Sequence, residues 1–359
     1  MVTGTELKEF FTGKKVFLTG HTGFKGAWMT VWLNSLGAEV KGYALEAEKP
    51  SLYQDINGDA LCESLIGDIR NQQKLLEAVQ QFQPDIIYHM AAQPLVLDAY
   101  DRPVYTFEVN AIGTANLLEA AKLVQGKCTI INITTDKVYE NKEWYYPYRE
   151  NDHLGGYDPY SASKACAEIV SASYRSSFFN PKDYAVHQTS LATVRAGNVI
   201  GGGDWAENRI IPDIVRAVSA GKEVTLRNPN AVRPWQHVLE ALYGYLLLAI
   251  RMDENPTRFS AAYNFGPLFD ESISVAFLVE QAIDEWGRGS YKVEQQAGQL
   301  HEAKLLRLDC SKAVNELKWY PKWQAKQAIQ HTIKWYKEAL DKNQSPLDIT
   351  RAQIQAYLS

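Results

Sequence analysis

A tyrosine and a lysine four residues apart are the first side chains whose types and spacing suggest chemistry. Tyr160 and Lys164 stand in the segment DPYSASK, and residues four apart share one face of a helix. A phenol with a pKa of about 10 is a poor base at neutral pH, but a neighbouring ammonium stabilises the phenolate. The pair therefore predicts a general base that takes a proton from a hydroxyl group. The alternative interpretation is a solvated pair on a helix surface.

A glycine-rich segment supplies the second candidate. TGHTGFKG follows the apolar segment KVFLT and has Gly20, Gly23 and Gly26 three residues apart. Between a strand and a helix, such glycines allow a tight turn and close approach to a pyrophosphate, which the helix N-terminus also attracts. The alternative is a loop whose glycines serve turns only. The predicted dinucleotide contacts in this segment, with His21 beside the pyrophosphate, are Gly20, His21, Thr22, Gly23, Phe24, Lys25 and Gly26.

Further candidate cofactor contacts lie where predicted strands end. Asp68 and Ile69 close the third strand, where they can hydrogen-bond and pack against adenine. Glu46, after the second strand, is the only nearby acid for a ribose 2′-hydroxyl, and the lack of an arginine there favours NAD over NADP. The Lys164 ammonium can also hold the nicotinamide ribose. Each strand end also allows a purely structural interpretation. The remaining predicted contacts with NAD are Ala91, Ala92, Gln93 and Tyr160.

Alternating strands and helices in the first half of the chain must position these residues. Apolar segments at 15–19, 39–45, 64–69, 85–92 and 128–135 predict five strands, separated by helical stretches such as 25–36 and 110–124. A helix at 159–179 and a strand at 191–196 follow. Such apolar strands are typical of a parallel sheet covered on both faces. The predicted fold class is therefore α/β, a Rossmann-like, doubly wound parallel sheet with a smaller, irregular C-terminal lobe.

The second half of the chain loses this regular alternation after about residue 200. Gly, Pro, Asn and Trp become frequent, and helices are predicted at 212–220, 238–252, 275–286 and 325–343. The segment AAYNFG has the pattern of a strand that can return to the first sheet. We therefore expect residues 1–196 and about 232–266 to form the NAD-binding domain, and about 197–231 and 267–359 to form the substrate-binding lobe.

Composition and charge exclude several other classes of protein. Of the 359 residues, 46% are apolar and 22% are charged, and the net charge is -5 without any block of like charges. This argues against a binder of nucleic acid or of membrane surfaces. The longest apolar stretch, 241–250, is about half of what a membrane-spanning helix needs. The charged N-terminus and widely spaced cysteines predict a cytoplasmic protein, and the histidines and cysteines lack metal-ligand spacing.

In their order along the chain, these motifs resemble the extended short-chain dehydrogenase/reductase family, which includes NAD-dependent epimerases and dehydratases of nucleotide sugars. The resemblance covers nearly the whole chain through TGHTGFKG, GDIR, HMAAQP, NAIGTANLLEA, NITTDKVY, YSASK, RAGNVIGGGDW, RPWQHV and YNFGP. It implies a homodimer or a dimer of dimers, in which helices 110–124 and 159–179 pair between subunits. It also implies sugar-nucleotide contacts, with a guanidinium suited to the diphosphate at Arg233; these are Asn198, Arg209, Arg233, Asn264 and Lys304.

Within that family, the residues after the fifth strand separate two reaction types. The 4-epimerases need only a Ser or Thr with the Tyr and Lys, whereas 4,6-dehydratases add an acid and a base. Here the segment is Thr135, Asp136 and Lys137. Lys137 departs from the related enzymes acting on dTDP-glucose and GDP-mannose, which carry Glu, and a lysine is a base only where its surroundings favour the neutral form. The alternative for Asp136 and Lys137 is a solvated ion pair.

Several segments together are most similar to the family members that act on CDP-D-glucose, namely GHTGFKG, TTDKVYEN, GGYDPYSASK, GGGDWAENRIIPD and RPWQHV. The resemblance implies conversion of CDP-D-glucose to CDP-4-dehydro-6-deoxy-D-glucose and water, by hydride transfer from C4 to C6 through NAD. Tyr160, Lys164 and Thr135 would remove the C4 hydroxyl proton. Asp136 would protonate the departing C6 hydroxyl, and Lys137 is the candidate base at C5. The alternatives are a nucleotide-sugar 4-epimerase and a non-catalytic NAD-sensing protein.

Overall fold

A seven-stranded parallel sheet forms the centre of the computed structural model, which describes residues 2–268, 273–294, 305–341 and 344–359. Its strands are β1 (Lys15–Thr19), β2 (Glu39–Ala44), β3 (Glu63–Ile66), β4 (Ile86–His89), β5 (Cys128–Ile133), β6 (Thr189–Ala196) and β7 (Ala262–Phe265). They lie in the order β7-β6-β5-β4-β1-β2-β3 with every neighbouring pair parallel. The predicted Rossmann-like fold is confirmed. The strand order reverses at β1 and β4, where such sheets open a crevice for a ligand.

Burial and register explain how the strand ends come together. Every residue of β5 and β6 is buried, as expected where helices cover both faces of a parallel sheet. Thr19 at the end of β1 is in register with Tyr43 of β2 and with His89 of β4. The third, fourth and fifth strands end two to three residues earlier than their apolar patterns predict. The chain leaves the sheet at its carboxyl edge, where Ile69, Thr134 and Thr135 are buried without belonging to a strand.

Helices cover the sheet and fill much of the second half of the chain. The helix predicted at 110–124 is a π-helical turn at Glu108–Ile112 followed by a helix that ends at Ala121. The side chain of Asn110 in that turn bonds to the backbone of Gln93 and to Ser163, so tertiary contacts accompany the change in winding. The hydrophobic pattern of the sequence predicts neither the first nor the last of the helices described.

The helices are α1 (Gly4–Phe11), α2 (Phe24–Ser35), α3 (Leu52–Asp55), α4 (Gln72–Phe82), α5 (Val96–Asp101), α6 (Pro103–Phe107), α7 (Gly113–Ala121), α8 (Pro159–Ser177), α9 (Tyr184–His187), α10 (Ile210–Ser219), α11 (Val238–Glu254), α12 (Pro256–Phe259), α13 (Val275–Trp286), α14 (Ala325–Leu340) and α15 (Pro346–Leu358).

Short strand pairs replace the regular alternation beyond β6. Val199–Ile200 pairs with Gln236–His237, Val232–Arg233 with Ile273–Ser274, and Val224–Leu226 with Tyr291–Val293. The segment AAYNFG supplies β7, which pairs with β6 and so belongs to the main sheet. The division of the chain into an NAD-binding domain and a substrate-binding lobe stays a prediction.

The glycine-rich loop after β6 is held between α2 and α14. The Gly202 carbonyl accepts a hydrogen bond from Trp28 Nε1 at 2.9 Å, and a Cβ on Gly202 would lie 2.0 Å from the ring of Trp335. Tyr336 of α14 donates to the carbonyl oxygen of Asp204 at 2.5 Å. The C-terminal helices therefore position the loop that leads from β6 to Arg209.

A buried carboxylate fastens α15 to α11. Glu240 of α11 accepts hydrogen bonds from the backbone N–H groups of Lys322 and Trp323 and from the Tyr357 hydroxyl, the last at 2.6 Å. Burial raises the pKa of Glu240 from 4.5 to about 7, although these donors favour the charged form. The folded protein therefore holds this proton more tightly than the unfolded chain does.

We predict that this carboxyl makes stability fall as pH rises. Because the folded pKa of Glu240 lies above the unfolded value, its stabilising effect is complete below about pH 4.5 and is lost as the pH passes through about 7. A shift of this size corresponds to about 3 kcal/mol. In urea unfolding between pH 5 and 8, the free energy of unfolding should fall more steeply with pH for the parent than for Glu240→Gln. Equal pH slopes for the two proteins would contradict the prediction.

Candidate functional site

The predicted tyrosine and lysine lie at the start of α8, on the inner side of the sheet's carboxyl edge. Tyr160 and Lys164 are 9% and 4% exposed, so they are not a solvated pair. The helix begins after Asp158, whose side chain accepts a hydrogen bond from the Ser161 backbone N–H at 2.9 Å. Lys164 Nζ donates to the Ile133 carbonyl at 3.0 Å, which ties the helix to the end of β5.

The surroundings of the pair change the proton affinity of both groups. Burial raises the pKa of Tyr160 to about 12, while the hydroxyl of Thr135 acts in the opposite direction. Burial and the positive charge of Lys25 lower the pKa of Lys164 to about 8. At neutral pH the phenol is therefore protonated and the ammonium still carries its charge. A further positive charge next to the phenol would favour the phenolate.

Thr135, Asp136 and Lys137 form the turn that directly follows β5. Asp136 is fully buried and accepts a hydrogen bond from Thr135 Oγ1 on Oδ1 at 3.0 Å. Lys137 Nζ lies 4.0 Å from the same oxygen, and its side chain is 33% exposed. Within the described residues, Asp136 Oδ2 has no hydrogen-bond partner. The burial of Asp136 thus contradicts the interpretation of a solvated ion pair. Its Oδ2 remains available to bind another group.

A glycine makes room for this carboxylate. A Cβ on Gly197, just after β6, would lie 1.9 Å from Asp136 Oδ2 and 2.0 Å from its Cγ. Such a distance is far inside van der Waals contact, so any side chain at this position would displace Asp136. Asn198 follows with a φ of 48°, and its Oδ1 is buried without a partner in the described part of the chain.

The glycine-rich turn has the geometry that a dinucleotide requires. Gly20 has a φ of 77°, and its Cβ would lie 2.7 Å from the Ala91 backbone nitrogen, whereas a Cβ on Gly26 would lie 2.0 Å from the Gly20 carbonyl oxygen. Helix α2 begins after Gly23 without a side-chain cap, so its first N–H groups remain for an anion. Thr19 Oγ1 accepts hydrogen bonds from Met90 and Ala91, which joins the turn to the end of β4.

Lys25 points from this turn toward Asp136 and Arg209. Its Nζ lies 5.9 Å from the centre of the Tyr245 ring. Burial and the charge of Arg209 lower its pKa to about 8, and Asp136 acts in the opposite direction. The charge of Lys25 in turn lowers the pKa of Lys164. The positive charges of Lys25 and Lys137 therefore lie near the buried Asp136 carboxylate, and Arg209 lies near Lys25.

The ring of His21 is directed away from the predicted pyrophosphate position. Its Nε2 lies 2.9 Å from Ser64 Oγ of β3, and the ring packs edge-on against Tyr53. Burial lowers the pKa of His21 to about 4, so the ring is neutral. Gly42 of β2 leaves the space that the ring fills. Only the backbone of His21 lies in the turn, because the sheet accommodates the side chain.

Residues predicted near the adenosine differ in how much of each side chain is free. The Asp68 carboxylate is bound by Arg70 at 2.7 Å, and Ile69 is buried. Gln93 is buried, and its amide donates to Leu95 and Thr106. The other predicted contacts are arranged around the turn: Thr22 donates to the Leu45 carbonyl, Phe24 is half-buried at the start of α2, Glu46 is exposed after β2, and Ala91 and Ala92 are half-buried after β4.

The five predicted sugar-nucleotide contacts are not all brought together. Arg209, just before α10, is half-buried and forms an ion pair with Asp204 at 2.9 Å, and Arg233 is buried. The Asn264 amide is occupied on both sides, since Oδ1 accepts from Tyr139 and Nδ2 donates to the Tyr148 carbonyl. Asn264 thus stabilises the fold around the site and presents no amide group to a ligand. Lys304 lies outside the described residues.

Asn110 is a residue of the site's framework that sequence reasoning missed. Its Oδ1 accepts from the Gln93 N–H at 2.9 Å and its Nδ2 donates to Ser163 Oγ at 2.8 Å, and Ser163 in turn donates to the Tyr160 carbonyl. It joins the loop after β4 to the first turn of α8. In the sequence, the only sign of this role is that Asn110 begins the family-like segment NAIGTANLLEA.

A Rossmann-like sheet with this glycine turn and a Tyr–Lys pair after β5 defines the extended short-chain dehydrogenase/reductase class. The family model described as GDP-mannose 4,6 dehydratase matches residues 17–332, and the chain belongs to that family. The chain is 47% identical to CDP-glucose 4,6-dehydratase of Salmonella typhimurium, over 98% of both chains. It is 28% identical to dTDP-glucose 4,6-dehydratase of Streptomyces antibioticus, over 71% of this chain and 70% of that protein.

Solved structures share the fold at lower identity. A dTDP-glucose 4,6-dehydratase of Streptomyces venezuelae with NAD bound has a TM-score of 0.76 and 23% identity, covering 93% of this chain and 99% of that one. UDP-glucose 4-epimerase of Thermus thermophilus with NAD has a TM-score of 0.77 and 23% identity, covering 90% and 99%. Because dehydratases and epimerases share this fold, the fold does not separate the two reactions.

No group of three His, Cys, Asp or Glu side chains in the described part of the chain could hold a metal ion. None of the helices described is both long and apolar enough to span a membrane.

We predict that Gly197→Ala impairs catalysis by displacing Asp136. The new methyl would require the carboxylate to move by more than 1 Å, and a misplacement of that size costs up to about a hundredfold in rate. We expect at least a loss of about tenfold in turnover of a nucleotide sugar. The control is Gly155→Ala, where the nearest atom to the new methyl would be Glu140 Cβ at 3.5 Å. Parent-like turnover of Gly197→Ala would show that the Asp136 position is not required.

Proposed function

We propose that this chain converts CDP-D-glucose to CDP-4-dehydro-6-deoxy-D-glucose and water, with NAD as a cofactor that is regenerated in each cycle. The observation that carries the proposal is the fully buried Asp136 beside Tyr160, since elimination of water needs an acid that 4-epimerisation does not. The 47% identical relative supports CDP-D-glucose as the nucleotide sugar.

The glycine-rich turn fits a bound NAD. Neither Gly20 nor Gly26 has room for a Cβ, and the uncapped start of α2 offers N–H groups to the pyrophosphate. The Lys164 ammonium would hold the nicotinamide ribose. When bound, NAD accepts a hydride from C4 of the sugar and returns it to C6.

Tyr160 is the general base of the first step. Lys164 and the Thr135 hydroxyl stabilise the phenolate, which takes the proton of the C4 hydroxyl as that carbon is oxidised. Proton removal by such a positioned group is worth about 10²–10⁴-fold in rate. The closed surroundings of Tyr160 also exclude water, which protects reactive intermediates.

Asp136 and Lys137 act in the second step. The new C4 carbonyl acidifies the C5 proton. The step starts from a neutral Lys137 amine and a protonated Asp136 carboxyl: Lys137 removes the C5 proton, and Asp136 gives its proton to the C6 hydroxyl, which leaves as water. The 4.0 Å between Lys137 Nζ and Asp136 Oδ1 supports this assignment, because a base and an acid that act on adjacent carbons of one sugar must lie close together. Asn198, Arg209 and Arg233 would hold the nucleotide diphosphate, for which guanidinium groups are well suited.

Incubation with nucleotide sugars in isotopically labelled water tests the proposal. CDP-glucose, dTDP-glucose, UDP-glucose and GDP-mannose are each assayed for a 4-keto, 6-deoxy product and for solvent hydrogen at C5. We expect product and label with CDP-glucose. A C4 epimer without C5 label would identify a 4-epimerase, and NAD binding without turnover of any of these sugars would favour an NAD-sensing protein.

We predict that Asp136→Asn separates the two steps. The acid is needed only when the C6 hydroxyl leaves, so C4 oxidation should continue while elimination slows. Rapid-mixing absorbance with CDP-glucose should then show NADH accumulating on the enzyme. If the variant instead fails to reduce NAD, Asp136 acts in the first step and its assigned role is wrong.

The proposed enzyme is a homo-oligomer in a reducing cytoplasm. Val104, Ile112 and Ile169 expose 72%, 56% and 58% of their surface on adjoining elements, α6, the π-helical turn and α8. Exposed apolar groups of this kind are typical of a subunit interface. The four cysteines are all unpaired, which agrees with a reducing compartment.

We predict that Ile112→Lys together with Ile169→Glu yields a monomer at micromolar concentration, because charge at the centre of an apolar interface is strongly unfavourable. Light scattering of the purified protein measures the mass. Val186→Glu on α9 is the control, since Val186 is 86% exposed and lies on a different element. A parent protein that is itself monomeric would contradict the proposed oligomer.

A further inference from the structure

A buried ion pair lies one turn beyond Lys164 on α8, and the steps above do not use it. Glu168 of α8 and Arg195 of β6 are each 3% exposed. Arg195 Nε donates to Glu168 Oε1 at 3.0 Å and Nη2 donates to Oε2 at 2.9 Å. The hydroxyls of Thr134 and Thr193 donate to the two oxygens at 2.5 and 2.7 Å. The carboxylate thus accepts four hydrogen bonds, each of the strong, charge-assisted kind.

This ion pair connects the segments that carry the catalytic side chains. Thr134 lies between Ile133, whose carbonyl accepts from Lys164, and the catalytic Thr135. On the other side, Arg195 Nη1 donates to the Tyr139 hydroxyl at 2.8 Å, and Tyr139 ends the turn that contains Asp136 and Lys137. One pair of charges therefore contacts α8, the end of β5, β6 and the residue after the catalytic turn.

Stability alone does not account for this arrangement. A buried ion pair is often replaced by apolar side chains of similar volume without loss of stability, because desolvation opposes the attraction between the charges. Apolar contacts, unlike hydrogen bonds between charged groups, do not fix the orientation of α8 relative to β5 and β6. Tyr160, Lys164 and Glu168 follow each other at intervals of four along one stripe of α8. Anchoring Glu168 to β5 and β6 therefore sets where Tyr160 meets Thr135 and where Lys164 meets the Ile133 carbonyl.

The charge of Glu168 also acts on Lys164. It favours the ammonium form, which burial and the charge of Lys25 oppose. His89 of β4 faces Lys164 as well, but burial lowers its pKa to about 3, so it is neutral. Arg195 and Arg175 lie beside Glu168. Although burial acts to raise it, Arg195 and the two threonine hydroxyls hold the pKa of Glu168 below its usual value, so the carboxylate stays charged.

We infer that Glu168 and Arg195 are positioning residues of the enzyme, which hold the Tyr160–Lys164 face of α8 against the end of β5 and keep Lys164 charged during C4 oxidation. The inference rests on the proposed function, because it takes Tyr160 and Lys164 as the groups that remove the C4 hydroxyl proton.

The test measures NADH formation in a single turnover as a function of pH. Glu168→Gln keeps the shape of the side chain but removes its charge, so Lys164 should lose its proton at lower pH. We expect the rate to fall by at least about tenfold and the alkaline limb of its pH profile to move to lower pH. In the double variant Glu168→Leu with Arg195→Met, both charges are gone and folding should be preserved. Its turnover number should still fall by at least about tenfold, with KM changed by less than about threefold.

Ser171→Ala is the matched control, because Ser171 is another buried polar residue of α8 and accepts a hydrogen bond from Asn132. It should keep the parent profile. A double variant with parent-like turnover, or a Glu168→Gln profile that is lowered equally at every pH, would overturn the inference. The parent is assayed first on the full panel of nucleotide sugars. If it oxidises a sugar other than CDP-glucose, the proposed substrate fails, and the variants are compared on the sugar that is oxidised.

Discussion

Burial of charge at the carboxyl edge of the sheet is the constraint on which the rest of the site depends. Lys164 and Asp136 lie where water is almost excluded, and an unpaired charge in such a place is strongly unfavourable. Each charge therefore has a partner of fixed position, the Ile133 carbonyl for Lys164 and the Thr135 hydroxyl for Asp136. Both partners lie at the end of β5, at the carboxyl edge where parallel sheets of this kind bind ligands.

The exclusion of water also determines which groups of the site carry a proton when no ligand is bound. Burial raises the pKa of Tyr160 to about 12, and it lowers the pKa of both lysines to about 8, together with the charge of Arg209 for Lys25 and the charge of Lys25 for Lys164. The phenol at rest thus holds its proton, and the site has more positive than negative groups around it. Such a site favours anionic ligands.

Residues distant in sequence hold the loops at the carboxyl edge of the sheet in position. The loop after β6 is shaped by Trp335 and Tyr336 of α14, more than a hundred residues further along the chain. Helix α15 in turn is tied to α11 through Glu240. The irregular second half of the chain is therefore part of the framework of the site, in addition to any part it has in holding the substrate.

The sequence by itself determined the α/β class, the glycine turn and the common face of Tyr160 and Lys164. All three depend on local periodicity or on spacing within a single element. It did not determine where His21 and Asn264 point, because neighbouring strands took up the ring of the first and protein partners occupied the amide of the second. It also did not reveal that Asp136 is buried against Gly197, or that Glu168 meets Arg195. Those contacts join residues 27 to 61 positions apart, and only the tertiary structure decides them, because packing between elements, unlike periodicity within one, leaves no regular pattern in the sequence.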